Sequence, residues 1–111
     1  MLVIKPGVRI HGMCPEIWAG IWIVERVVDK LFGRAIRLTA GIDGKHSNAS
    51  LHNIGHAADI GAKEFKPEEK QEILNQSLLA LGMDFDFILE AAGTDNEHFH
   101  LEFQPKVGYT P

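Results

Sequence analysis

Apolar positions follow a helical spacing over one long stretch in the first third of the chain. From Pro15 onward they recur mainly at steps of three and four, which predicts one buried stripe on a helix. The stripe consists of Trp18, Ile21, Trp22, Val24, Val28 and Leu31. Pro15 suits a first helical turn and Gly33 a C-terminal stop. Because both tryptophans lie on the stripe, we expect them to pack in the core.

Shorter patterns downstream predict one more helix and several strands. A helix over residues 67–81 has acidic residues in its first turn and Gly82 after its end. Strands are predicted over residues 35–39, 55–62, 85–89 and 99–103. Residues 41–50 combine turn-forming side chains without a period and predict a loop, as do residues 93–96. Together these elements predict an α+β fold, a small antiparallel sheet flanked by two main helices.

Length and charge narrow the classes of protein further. A chain of 111 residues fits one domain over residues 1–111, and its 45% hydrophobic and 23% charged shares are ordinary for a globular protein. The net charge of −4, with single scattered basic residues, gives no stripe that would neutralise phosphates, so no nucleic-acid partner is expected. The longest apolar stretch, residues 17–28, is interrupted by Glu25 and Arg26 and is too short for a membrane span, so no membrane partner is expected.

The cysteine content restricts the kind of metal site. Cys14 is the only cysteine, which excludes an internal disulfide and a cysteine-rich zinc site. Any metal must therefore be held by histidines and carboxylates. No apolar leader followed by a small-residue cleavage site is visible, so the sequence predicts synthesis in the cytoplasm.

Five of the six histidines fall into two clusters, one over residues 46–56 and one over residues 98–100. In the first, His52 leaves a predicted loop and Asp59 follows seven residues later on a predicted strand, so the two side chains can converge on one ion. In the second, strand alternation places His98, His100 and Glu102 on one face and the apolar residues between them on the other. Polar histidines on an exposed strand face are the alternative for either cluster taken alone.

Two imidazoles and one carboxylate would leave a tetrahedral zinc ion with one open position, as expected of a catalytic rather than a structural site. A rival arrangement uses His52 and His56, whose spacing places them on one face of a helix in a known zinc motif. That motif requires a glutamate where Asn53 stands, and Gly55 would break the helix. This favours His56 as a strand or surface residue.

Two segments together resemble a known family. Ser50, His52, Gly55, Ala57 and Asp59 match a Ser-x-His-x-x-Gly-x-Ala-x-Asp motif, and Glu97, His98 and His100 match an acidic-His-x-His segment. Over residues 37–105 the chain resembles the zinc D-alanyl-D-alanine carboxypeptidases and related peptidoglycan peptidases, whose fold is shared with the hedgehog signalling domain. The run Asp-Gly-Lys-His-Ser at residues 43–47 is similar to the small phage-encoded members.

The resemblance implies a role for each matched residue. Zinc would be held by His52, Asp59 and His100. Glu97 would be the general base and later the proton donor, and His98 would stabilise the tetrahedral intermediate or orient the substrate. Strict strand alternation directs Glu97 away from His100, which makes the nearby carboxylates alternative bases. These alternatives are Glu90 and Glu102.

The substrate side of the site is less defined. An Arg or Gln that holds the substrate carboxylate in many relatives has no clear counterpart, and His46, Ser50, Arg34 and Arg37 are the candidates for substrate binding. The resemblance implies hydrolysis of the peptidoglycan stem peptide, as a carboxypeptidase or an endopeptidase, by a lysin-like enzyme that acts on the cell wall after release. Two alternatives are a non-catalytic, zinc-stabilised binding or structural module on the same fold and a zinc-independent interaction domain.

Overall fold

The computed structural model describes residues 1–42 and 55–105. Within these ranges two helices and five strands form one α+β arrangement, which confirms the predicted fold class. The elements are β1 (Leu2–Ile4), α1 (Pro15–Phe32), β2 (Ile36–Ala40), β3 (Ala57–Gly61), α2 (Pro67–Leu81), β4 (Phe85–Glu90) and β5 (His98–Phe103).

The five strands form one sheet in the order β1-β2-β3-β5-β4. Three of the pairings are antiparallel, but β1 runs parallel to β2, so the sheet is mixed rather than wholly antiparallel as predicted. The sequence pattern missed β1 because three residues are too few to display an alternation. The last of the described strands, β5, lies between β3 and β4, and this insertion brings distant parts of the sequence together.

Helix α1 begins and ends at the residues that the sequence indicated. Pro15 occupies its first turn, and Gly33 adopts a left-handed conformation with φ of 64°, from which its N–H donates to the Asp29 carbonyl at 2.8 Å. Glycine reaches that conformation without the steric cost that a Cβ brings. The helix therefore ends where the chain must turn toward β2.

The buried stripe of α1 is displaced from the predicted one. Its fully buried positions are Ile17, Gly20, Ile21, Val24 and Val28. Trp18 is half-buried against the core, whereas Trp22 is 51% exposed, so the prediction that both tryptophans pack in the core is wrong for Trp22. Each tryptophan follows a buried isoleucine by one residue, and a step of about 100° around the helix turns it from the stripe.

Both helices cover one face of the sheet. Helix α1 contacts α2, β3 and β5, and α2 also contacts β4. The core between the layers contains aliphatic residues of β2, β3 and α1 together with the stacked rings of Phe87 and Phe99, whose centroids lie 5.3 Å apart. Neither described helix combines the length and the uninterrupted apolar character that spanning a membrane would require.

Candidate metal centre

The sheet face opposite the helices carries the polar chemistry. Along β5 the buried Phe99 and Leu101 point into the core, and His98, His100 and Glu102 lie on the other face, as strand alternation predicted. On β3, Asp59 shares this open face because its neighbours Ala58 and Ile60 are buried in the core. The sheet therefore separates an apolar layer from a layer of ionisable groups.

Asp59 and His100 are direct neighbours across the two central strands. They are register partners in the antiparallel β3–β5 pair, and His100 Nδ1 donates to Asp59 Oδ1 at 2.9 Å. Their side chains are only 13% and 11% exposed. Asp59 and His100, the two implied metal ligands that fall within the described residues, thus lie side by side with little exposure to solvent.

His98, the first residue of β5, lies next to this pair. Its Nδ1 lies 2.6 Å from the Asn96 carbonyl oxygen, and because a carbonyl only accepts, Nδ1 must carry the hydrogen. Its Nε2 then faces Asp59 Oδ2 at 3.6 Å and Glu90 Oε1 at 3.0 Å. His98 therefore presents Nε2 to the same point in space as the other two residues.

Glu90 is the member of this group that sequence reasoning held only as an alternative base. It ends β4 as the register partner of His98, and its Oε1 also lies 3.7 Å from His100 Nδ1. One donor atom each from Asp59, Glu90, His98 and His100 lies within 4.8 Å of the others, so these four residues could hold a metal ion. The apolar pattern of residues 85–89 predicted the strand that carries Glu90 at its end. The pairing of that strand with β5 could not be predicted from the sequence.

The donor atoms have a spacing that suits a tetrahedral ion. Two ligands that each lie about 2.0–2.1 Å from zinc are separated by about 3.3–3.4 Å at the tetrahedral angle. The contacts between donor atoms run from 2.9 Å for Asp59 and His100 to 3.7 Å for Glu90 and His100, and all four donor atoms lie within 4.8 Å of one another. The four residues are therefore close enough to share one metal ion.

Both imidazoles also have the outer partners that metal-binding histidines have. Glu102 Oε1 lies 2.7 Å from His100 Nε2, on the far side of the ring from Asp59, and the Asn96 carbonyl holds Nδ1 of His98. Metal ligands of this type nearly always engage their second ring nitrogen with a carboxylate or a carbonyl, which fixes the orientation of the ring. Each histidine is thus held with one nitrogen directed at the group.

The charge balance at the centre favours a cation. Burial by itself lowers the pKa of His100, but the hydrogen bonds to Asp59 and Glu102 and the charge of Glu90 outweigh it and raise the pKa to about 9. In the metal-free protein the His100 imidazole is therefore protonated at neutral pH and balances part of the carboxylate charge. A metal ion bound here would take the place of that proton.

The other sequence-predicted residues lie in different positions. Glu97 precedes β5, and its carboxylate contacts the Lys70 ammonium and accepts the Gly93 N–H at 3.1 Å, so it is not one of the four grouped residues. His56 precedes β3, is partly buried, places its ring against Phe103 at 5.9 Å between centroids, and is not one of the grouped donors. The predicted ligand His52 and the substrate candidates His46 and Ser50 lie outside the described residues.

A polar cleft of about 210 Å³ adjoins the centre. Its charged lining residues are three cations and three carboxylates, and His98 lies beside them: Lys5, Arg37, Lys63, Asp59, Asp95 and Glu97. Arg37, a predicted substrate residue, is 46% exposed and lies 3.9 Å from a carboxylate oxygen of Glu64. Arg34 lies elsewhere, with its guanidinium over the Phe65 ring and paired with Glu69.

A glycine fixes the entry to the strand that carries Asp59. Gly55 has φ of 77°, and a Cβ on it would lie 2.2 Å from the Gly12 carbonyl oxygen. Its own carbonyl accepts the Cys14 N–H at 3.0 Å, which ties this turn to the start of α1. A side chain at this position would push the turn away from the segment that contains Gly12. The packing of the fold therefore explains the glycine of the first motif.

No protein-family model matches the chain, and no curated protein matches it either. The residues and their geometry therefore carry the functional argument.

Proposed function

We propose that the protein is a zinc-dependent peptidase that hydrolyses peptide bonds of bacterial peptidoglycan. The observation that carries the proposal is the convergence of Asp59, His98, His100 and Glu90 on one point of the open sheet face, beside a polar cleft lined with both cations and carboxylates. The sequence resemblance adds His52 as a further ligand. When bound, zinc would act as a Lewis acid that lowers the pKa of a coordinated water to about 7.

The donor chemistry supports a catalytic rather than a structural metal. Structural zinc sites are closed by four ligands that are mostly cysteines, whereas this group consists of imidazoles and carboxylates. Glu90 is 42% exposed, so the site is open on the side of the solvent. Substrate and water can therefore reach the point on which the donors converge.

Two carboxylates compete for the proton transfers that peptide hydrolysis needs. The resemblance favours Glu97, which lines the cleft together with His98 and Asp59. Glu90 is the alternative in the arrangement in which His52, and not Glu90, is a metal ligand; its Oε1 lies 3.0 Å from His98 Nε2. Either carboxylate could take a proton from water and return it to the leaving amine.

The cleft suits a peptide with a negatively charged end. Lys5, Arg37 and Lys63 line this cleft together with Asp59 and His98. Peptidoglycan stem peptides carry free carboxylates, which cations near the centre would attract and orient. His98 cannot hold the metal and stabilise the developing negative charge of the attacked carbonyl at the same time, and its place in the donor group favours the ligand role.

The experiment is digestion of purified peptidoglycan by the zinc-loaded protein, followed by mass analysis of the fragments. We expect new free amino and carboxyl ends at a single type of peptide bond. The variants Glu90→Gln, Glu97→Gln and Glu102→Gln should be compared with zinc content measured in each. Loss of the true base should lower turnover by about 10²–10⁴-fold while zinc stays bound.

A protein that binds one zinc per chain and releases no fragment would instead be a non-catalytic, zinc-stabilised module. One observation favours that second function: the described residues alone supply four donors, which is the ligand count of a structural site. The fragment analysis separates the two functions, because metal binding is common to both and cleavage is not.

A further inference from the structure

A partly buried ion pair links helix α2 to the turn that leads into β5. The Lys70 ammonium contacts Glu97 Oε1, and the two side chains are only 13% and 10% exposed. Charged side chains with so little exposure are usually paired, and removing one partner leaves the other charge uncompensated. This contact is a direct polar link between α2 and the segment that carries His98.

The same glutamate organises the turn itself. Its second oxygen, Oε2, accepts the Gly93 N–H at 3.1 Å, and Ala91 has a positive φ of 54° that alanine adopts only where its surroundings require it. The Thr94 hydroxyl donates to the Ala91 carbonyl at 2.6 Å and accepts the Asn96 N–H at 3.2 Å. Residues 91–97 therefore form a tightly bonded turn whose attachment to α2 is Lys70.

This turn ends at the group that orients His98. The Asn96 carbonyl accepts the Nδ1 hydrogen of His98, which leaves Nε2 directed at Asp59 and Glu90. The contacts thus run without a gap from Lys70 through Glu97 and the turn to the imidazole. A displacement of Glu97 would move Asn96, and with it the plane of the His98 ring.

We propose that Lys70 is a positioning residue of the metal centre: by holding Glu97 it fixes the turn 91–97 and thereby directs His98 Nε2 at the metal-binding group. Lys70 touches neither the donor group nor the proposed substrate cleft, so it acts only through Glu97. The assignment holds whether Glu97 or Glu90 is the base. Its metal-affinity consequence rests on the proposed function, but the orientation of His98 does not.

Lys70→Met removes the ammonium and keeps most of the side-chain length, Lys70→Arg keeps the charge, and Lys30→Met changes an exposed lysine of α1 as the matched control. In the metal-free proteins, ¹⁵N spectra of the imidazoles report the hydrogen-bonded Nδ1 of His98. We expect this signal to shift toward that of a solvated histidine in Lys70→Met and to return in Lys70→Arg. Titration with Zn²⁺ should give an affinity about tenfold weaker for Lys70→Met, within the range for partners behind metal ligands.

Thermal unfolding of each variant separates positioning from simple loss of stability. A Lys70→Met protein with a lower Tm but the wild-type His98 signal and a Zn²⁺ affinity within twofold of wild type would overturn the proposal. So would Lys70→Arg behaving like Lys70→Met. In the Glu97→Gln background, Lys70→Met should add no further change, because the link is already broken. If the wild-type protein binds no Zn²⁺, the proposed function fails, and the His98 signal alone decides the role of Lys70.

Discussion

The two faces of the sheet are built from the same strands but obey different physical rules. On the helix side, Phe99 and Leu101 of β5 are almost completely buried among apolar neighbours. On the open side, His98 and His100 are in contact with three carboxylates and keep part of their surface in water. Alternate residues of β5 therefore belong to the packed core and to the cluster of ionisable groups.

The comparison assigns the stability of the fold to the helix face of the sheet and the binding chemistry to the open face. Removal of apolar area from water contributes most of the folding free energy, whereas ion pairs contribute little net stability once the loss of hydration is counted. The helix face can thus support an open face whose charged groups are arranged for binding rather than for stability. The following predictions test this division, beginning with the largest expected effect.

Phe99→Ala should destabilise the fold by about 3–5 kcal/mol, because it opens a cavity beside Phe87 in the core. Chemical denaturation monitored by circular dichroism measures the free energy of unfolding. An effect below about 1 kcal/mol would contradict the assignment of the helix face as the stability-bearing one.

His100→Ala, one residue further along β5, should leave the protein folded but weaken Zn²⁺ binding by about 100-fold or more, beyond the range of about 10–100-fold typical of partners behind a ligand. His56→Ala is the matched control, since its ring packs on Phe103 and is not in the donor group. If His56→Ala empties the site and His100→Ala does not, the centre is not the one described.

The affinity for Zn²⁺ should rise with pH by about tenfold per unit from pH 6.5 to about pH 9 and then level off. The sign follows from His100, whose pKa is raised to about 9 in the metal-free fold, so that binding must release one proton throughout this window. Competition titrations against a chelator of known affinity at pH 6.5, 7.5 and 8.5 measure the slope. A flat profile would contradict the protonated state of His100.

Ile88→Thr should have the smallest effect, under about 1 kcal/mol, because this open-face residue of β4 is 50% exposed and threonine keeps the β-branched shape. Its Zn²⁺ affinity should match that of the wild type, although Ile88 pairs with His100 across the strands. Comparison with Phe99→Ala by the same denaturation experiment sharpens the contrast between the faces. If Ile88→Thr and Phe99→Ala lost the same free energy of unfolding, the proposed contrast between the two faces would be wrong.

The sequence determined both described helices and every described strand except β1. Pro15 and Gly33 bound α1, residues 67–81 form α2 as predicted, and the alternation of β5 assigned His98 and His100 to one face. These signals act between residues a few positions apart, within one helical turn or one pleat, so they can be read without knowing the fold. The ligand role of His52 stays a prediction, since that residue lies outside the described part of the chain.

Only the tertiary structure decided which of these residues meet. Asp59 and His100 are 41 positions apart and touch because β5 inserts between β3 and β4, which also brings Glu90 opposite His98. The Lys70–Glu97 pair and the exposure of Trp22 depend likewise on how α2 and α1 pack against the sheet. Such contacts are set by the closing of the whole core, whose free energy is shared among distant residues, and no short stretch of sequence contains that information.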